Sequence, residues 1–196
     1  MQPENFNLLI PQGTDYALTL SFTEGANLRT SGAKAGAQSI PLTSPLPTAL
    51  SSGDKVSFQK GAIATLSEAA ALGARSLTVS PLLFDIDRET GRKVLDLTSY
   101  TAAAKIYRDL SQAAIATFTT DLTTAPADGK LILTLTDEQS ADLPANLEAG
   151  VFPSEAEVQS RKSTDSEYIW QLELTDAEGL ILRPLEGLVL VSLEGA

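Results

Sequence analysis

The chain has 196 residues, 43% of them hydrophobic, with 14 basic against 25 acidic side chains and neither histidine nor cysteine. This length and apolar content allow one large domain or two small ones and exclude disorder of the whole chain. A net charge of −11 disfavours nucleic acid and anionic lipid as partners, and the two missing residue types exclude disulfides, thiolate ligands and any mechanism built on an imidazole.

At the start, MQPENFNLLIPQG has no basic stretch leading into an apolar core, so a signal peptide is not expected. No apolar run approaches the roughly 18 residues of a membrane span, and a soluble protein is expected. Residues 6–22 read as one or two strands around Pro11 to Gly13. In the second part Tyr16, Leu18, Leu20 and Phe22 share a face against Ala17, Thr19 and Ser21.

The next stretch changes character. Residues 27–82 hold five basic and two acidic side chains, a net +3, which leaves −14 for the remainder. Within them, GAQSIPLTSPL (Gly36–Leu46) and GARSLTVSPL (Gly73–Leu82) are two copies of one pattern, their first glycines 37 positions apart. Between the copies, Ser51–Phe58 reads as a turn entering a strand. Repeat and charge together predict a small, pseudo-symmetric β unit at 27–82, inserted into a larger domain made of 1–26 and 83–196.

Beyond the insert, Leu83–Leu97 is expected to be a hairpin around Glu89 to Gly91. Tyr100–Arg108 and Ala114–Thr119 follow as strands, and Ala102, Ala104 and Ile106 alternate with Ala103, Lys105 and Tyr107. After a turn at Ala127 to Gly129 comes another strand, with Leu131, Leu133 and Leu135 on one face. Thr136 is an N-cap candidate for a short helix over Asp137–Asp142, with acids in its first turn and Pro144 beyond its end. The polar stretch from Asn146 to Glu167 reads as a mobile loop. In YIWQLELTDAEG, Tyr168, Trp170, Leu172 and Leu174 oppose Ile169, Gln171, Glu173 and Thr175, the period of a half-buried strand, and Asp176 to Gly179 supplies a turn. The fold class predicted is all-β: an immunoglobulin-like antiparallel sandwich with an inserted small β unit and one short helix.

Reactive constellations are weak. No motif marks a Ser-Lys or paired-carboxylate centre, so no enzyme activity is expected. DIDRETG (Asp85–Gly91) superficially suggests a calcium loop, yet a glycine is wanted sixth and a glutamate twelfth, where this chain has Gly91 seventh and Asp96 twelfth. Gly129 and Lys130 lack the rest of a phosphate loop. Trp170 lies on the apolar face of its strand and reads as core. No metal and no cofactor are expected.

The segments QGTDYALTLSF, LTSYTAAAKI, GKLILTLTDEQSADLP, YIWQLELTDAEG and RPLEGLVLVS, taken in order, resemble tail and baseplate proteins of tailed bacteriophages. The resemblance is strongest to the β-sandwich domain at the N-terminus of baseplate upper proteins. It spans about 22 residues at the start and about 114 after the insert, and consists of strands and turns, so no functional residues carry over. It implies a virion structural protein, located in the tail or baseplate after synthesis in the host cytoplasm. Its partners would be other tail, baseplate or fibre subunits, in an oligomeric particle without nucleic-acid or membrane contact. A carbohydrate-binding or adhesive β-module is the alternative, and would show an exposed aromatic cluster or a calcium site.

The terminal strand carries the one site expectation. In LVLVSL, Leu188 and Leu190 alternate with Val189 and Val191, so both faces are apolar. A sandwich buries one face of each strand, which leaves either Leu188 and Leu190 or their neighbours outward, to be covered by the insert, by the loop or by a partner subunit; Leu188 and Leu190 are the candidate partner interface.

Overall fold

The period-two stretch at Tyr168 forms the middle of the larger sheet, and everything else in its half of the protein is arranged around it. The computed structural model describes residues 4–58, 62–147, 153–161 and 168–193. They divide into two compact units, one of Met1–Leu20, Leu97–Pro126 and Lys130–Ala196, the other of Ser21–Asp96 with Ala127–Gly129.

In the first unit, β14 (Tyr168–Thr175) alternates strictly between buried and half-buried residues. It pairs antiparallel with β10 (Thr101–Tyr107) on one side and β15 (Ile181–Ser192) on the other. The β14–β15 turn is closed by Asp176, whose Oδ1 accepts the amides of Glu178 and Leu180. A short β11 (Ala116–Thr117) extends the sheet beyond β10. At the opposite edge the pairing departs from the antiparallel expectation: β1 (Glu4–Asn5) and β2 (Leu8–Pro11) both run parallel to β15.

A second sheet has the order β12 (Thr119–Asp121), β13 (Lys130–Leu135), β3 (Tyr16–Ser21). The single strand expected over Ala114–Thr119 is therefore divided. Phe118, whose amide bonds to the Ala104 carbonyl, marks the point where the chain passes from the first sheet to the second. Leu131, Leu133 and Leu135 of β13 are buried, as are Trp170, Leu172 and Leu174 of β14. An aromatic ladder joins the two layers, with Phe118 6.3 Å from Trp170 edge-on and 6.2 Å from Tyr16. The unit is thus an all-β, sandwich-like fold.

Helix α1 (Asp137–Ala141) forms where the N-cap signal placed it. The Thr136 hydroxyl accepts the Gln139 amide at 3.2 Å and the Gln139 side chain accepts the Thr136 amide at 3.0 Å. The loop expectation over 146–167 needs correction. Residues 148–152 and 162–167 of that stretch lie outside the described ones, but between them stands a second helix, α2 (Glu155–Ser160). It starts on the reciprocal cap of Ser154 and Glu157, and it buries Val158.

The second unit is wider than 27–82. Its four-stranded sheet has the order β4 (Thr23–Arg29), β9 (Thr90–Val94), β6 (Lys55–Phe58), β7 (Ile63–Thr65). Strand β4 straddles the start of the charge-defined insert and β9 follows its end, and they pair with each other. Charge composition cannot reveal such a pairing, so the boundary set by charge fell inside the unit. No hairpin forms over Leu83–Leu97. Residues 83–89 are irregular apart from Ile86, which bridges to Ala33, and β9 takes its partners from β4 and β6. Gly91 sits where the Phe58 ring would lie 2.6 Å from any Cβ, so this strand position needs glycine for close approach. The two sequence copies meet directly: β5 (Ser39–Pro41) of the first pairs antiparallel with β8 (Ser76–Thr78) of the second. Ile40, Leu46, Leu77 and Leu82 from the copies join Leu28, Val56, Phe58 and Leu66 in one core.

Candidate docking surface

The candidate interface residues do not face outward. Leu188 is 6% exposed and Leu190 is 0% exposed, and Val189 and Val191 are buried too. Both faces of the terminal strand are covered, because its second face meets the segment read as a loop. Leu190 packs in a small cluster with Leu147, Val158 of α2 and Leu9 of β2. Two apolar faces on one strand therefore mean a third layer, and the stripe expected to bind a partner is core.

What fixes that layer is a residue that no sequence pattern singles out. Asn7, buried between β1 and β2, accepts the Leu188 amide through Oδ1 at 2.9 Å. Its Nδ2 donates to the Val158 carbonyl at 2.8 Å and the Arg161 carbonyl at 3.2 Å. Gln159 completes the join by accepting the Asn7 amide at 3.0 Å and donating to the Asn7 carbonyl at 2.8 Å. One amide side chain thereby ties α2 to the terminal strand with its hydrogen-bonding capacity used. Next to it, Trp170 Nε1 donates to the Phe6 carbonyl at 2.7 Å. The approach is possible because residue 187, opposite Trp170 in the register, is glycine: a Cβ there would collide with the Phe6 carbonyl. The Ser154–Glu157 capping signature was the readable clue to α2; nothing comparable marks Asn7.

Beside this join a groove of about 230 Å³ opens, lined among others by Phe6, Leu9, Tyr16, Leu18, Glu155 and Gln159. Phe6, Leu9, Tyr16 and Leu18 are half-buried there, and burial raises the Tyr16 phenol to about 12. It can accept an apolar side chain or short segment, with polar groups at the rim to orient it. The second unit has its own cleft of about 240 Å³, lined by Glu24–Ala26, Pro47–Leu50 and Lys93. Burial pulls the Lys93 ammonium down, yet its hydrogen bond and charge pairing with Glu24, aided by Asp54, outweigh this and leave it raised. The contacts are 3.0 Å to Glu24 and 3.4 Å to Asp54.

The calcium-like stretch is committed elsewhere. Asp85 accepts Lys34 Nζ at 2.7 Å and the Ala35 amide at 2.8 Å. The hydrogen bond from Lys34 and then that from Ala35 hold its carboxyl below the usual range. The exposed large apolar side chains lie outside Leu188–Val191, with Leu180 and Ile181 where β15 begins, Leu193 just past its end, and Leu72 and Leu83 in the second unit.

No protein-family model matches the chain, and no curated protein matches it in sequence.

Proposed function

We propose that the chain is a structural protein of a phage particle, an adaptor in the tail or baseplate that links the tail to fibre or receptor-binding parts. The observation that carries this reading is the groove at Phe6, Leu9, Tyr16 and Leu18 on a locked β-scaffold. It is an apolar recess beside a rim of neutral and acidic groups, suited to a protein segment rather than to a polyanion. The ordered strand and turn segments that resemble baseplate sandwich domains agree with it. The adhesive-module reading draws less support, since Trp170 is wholly buried and its indole N–H is already used, which removes it as a sugar-stacking platform.

The test is direct. Tailed particles from the organism encoding the chain are purified and analysed by mass spectrometry, and the chain is located by cryo-electron microscopy. Stoichiometric presence at the tail or baseplate is expected. Particles that are complete without it would end the reading.

A further inference from the structure

The second unit is symmetric well beyond the two sequence copies. Its backbone hydrogen bonds occur in mated pairs. Gly36 donates to the Leu82 carbonyl at 2.7 Å, and Gly73 to the Leu46 carbonyl at 2.9 Å. Val79 donates to Gln38 at 3.0 Å, and Leu42 to Arg75 at 2.8 Å. From the copies to their flanks, Thr43 donates to Arg29 at 2.8 Å and Ser80 to Thr65 at 2.9 Å, and outside the copies the reciprocal pair Ala33 and Ile86 matches the reciprocal pair Ala70 and Leu50. The same correspondence carries β4 onto β7 and β6 onto β9: Arg29 faces Thr90 as Thr65 faces Lys55, and Leu28 faces Gly91 as Ala64 faces Val56.

Two pairings map onto themselves, as they must if they lie on a two-fold axis. In β5–β8 this is Ile40 opposite Leu77. In β6–β9 it is Ser57 opposite Arg92, flanked by Val56 opposite Lys93 and Phe58 opposite Gly91. The first half is then β4, β5 and β6, and the second is β7, β8 and β9. Every ladder of the unit, β4–β9, β6–β9, β6–β7 and β5–β8, joins a strand of one half to a strand of the other. Among the described residues no ladder joins two strands of one half; each half holds itself only by a single bridge with its flanking bonds, Thr30 to Leu42 in the first and Leu66 to Val79 in the second. A half alone would leave its edges unpaired and its share of the common core open to water, which isolated short strands do not survive.

We infer that Thr23–Val94 is a fused, strand-exchanged dimer of two equivalent halves, and that the seam between them is an interface which the matching half of a second copy of this chain can occupy. Such a seam is isologous, with the same surface on both sides. The link between β6 and β7 is the covalent connection between the two halves, and because β1, β2 and β3 before the first half pair with β15 and β13 after the second, exchange at that link exchanges the strands of both units.

Two experiments on the full chain test this. The first deletes residues 59–61, so that Phe58 runs straight into Ala62 and the β6–β7 hairpin, where Ser57 faces Ile63, can no longer close within one chain. A species of twice the parent mass is expected, β-rich by circular dichroism and still protected from hydrogen exchange at the Leu42 and Val79 amides. A folded species of parent mass, or a chain without that protection, overturns occupancy by a second copy. The second experiment tests the seam itself by Ile40→Val in the otherwise intact chain. Trimming one methylene on the axis should speed exchange at Leu42 and at its mate Val79 by the same factor, roughly three- to tenfold. Acceleration confined to Leu42 would show two independent halves and overturn the fused dimer.

Discussion

The two units reach an all-β fold by different means. In the first, β13 and β14 alternate cleanly and supply one buried face to each layer of the sandwich, while two-residue strands such as β1 and β11 only extend the sheet they set. In the second, strands are as short as three residues, and none could be stable except against its mate. The first unit is organised by period along the chain and the second by repetition of the chain. Substitutions in the first unit should therefore be felt according to local burial, whereas those in the second should be felt on both sides of an axis.

The largest effect is expected at Trp170, which combines full burial, an aromatic edge contact and a hydrogen bond to Phe6. Trp170→Ala should cost about 3–5 kcal/mol of first-unit stability in denaturant unfolding. A loss below about 1 kcal/mol would show that the sandwich is not centred there. Next comes Asn7→Ala, which strips Leu188, Val158 and Arg161 of their partner at once. A loss of about 2–3 kcal/mol is expected, with faster hydrogen exchange in α2. Unchanged α2 protection would mean that Leu147 and Val158 hold the layer by packing alone.

Gly91→Ala probes the second unit at a site of close approach. A Cβ 2.6 Å from the Phe58 ring should destabilise by roughly 1–3 kcal/mol, and Phe58→Leu should recover part of it. If the double variant is no better than the single one, ring crowding is not the cause.

Tyr16 gives a pH test confined to the first unit. The folded chain keeps its phenol neutral up to about 12 against an ordinary 10.0, so its contribution is complete below pH 10 and is lost as pH rises toward 12. Tyr16→Phe should flatten that part of the melting-temperature profile, a difference of about 2–3 kcal/mol across the window. Parallel profiles for the two proteins would assign the alkaline loss to other groups. The smallest effect is expected for Ser154→Ala, which should remove about 1 kcal/mol of α2 capping, visible as local exchange rather than as a shift in global melting.

The sequence by itself determined the elements whose signals are local. A strand with one wet face must alternate, so β14 and β13 were readable residue by residue. A helix start must satisfy its free amides, so Thr136 announced α1, and Ser154 with Glu157 could have announced α2 in the same way. The repeat was also legible, since copies can be counted along the chain. Only the tertiary structure decided what faces what. Leu188 and Leu190 looked like an outward stripe because a strand does not reveal whether one layer or two will cover it, and the second layer came from residues some thirty to forty positions earlier in the chain, Leu147 and Val158. Asn7 carries no pattern because a buried amide is specified by the carbonyls and amides around it, all distant in sequence. The pairing of the two copies is likewise a matter of space: repetition gives two like surfaces, and only folding brings Ile40 opposite Leu77 on the axis between them.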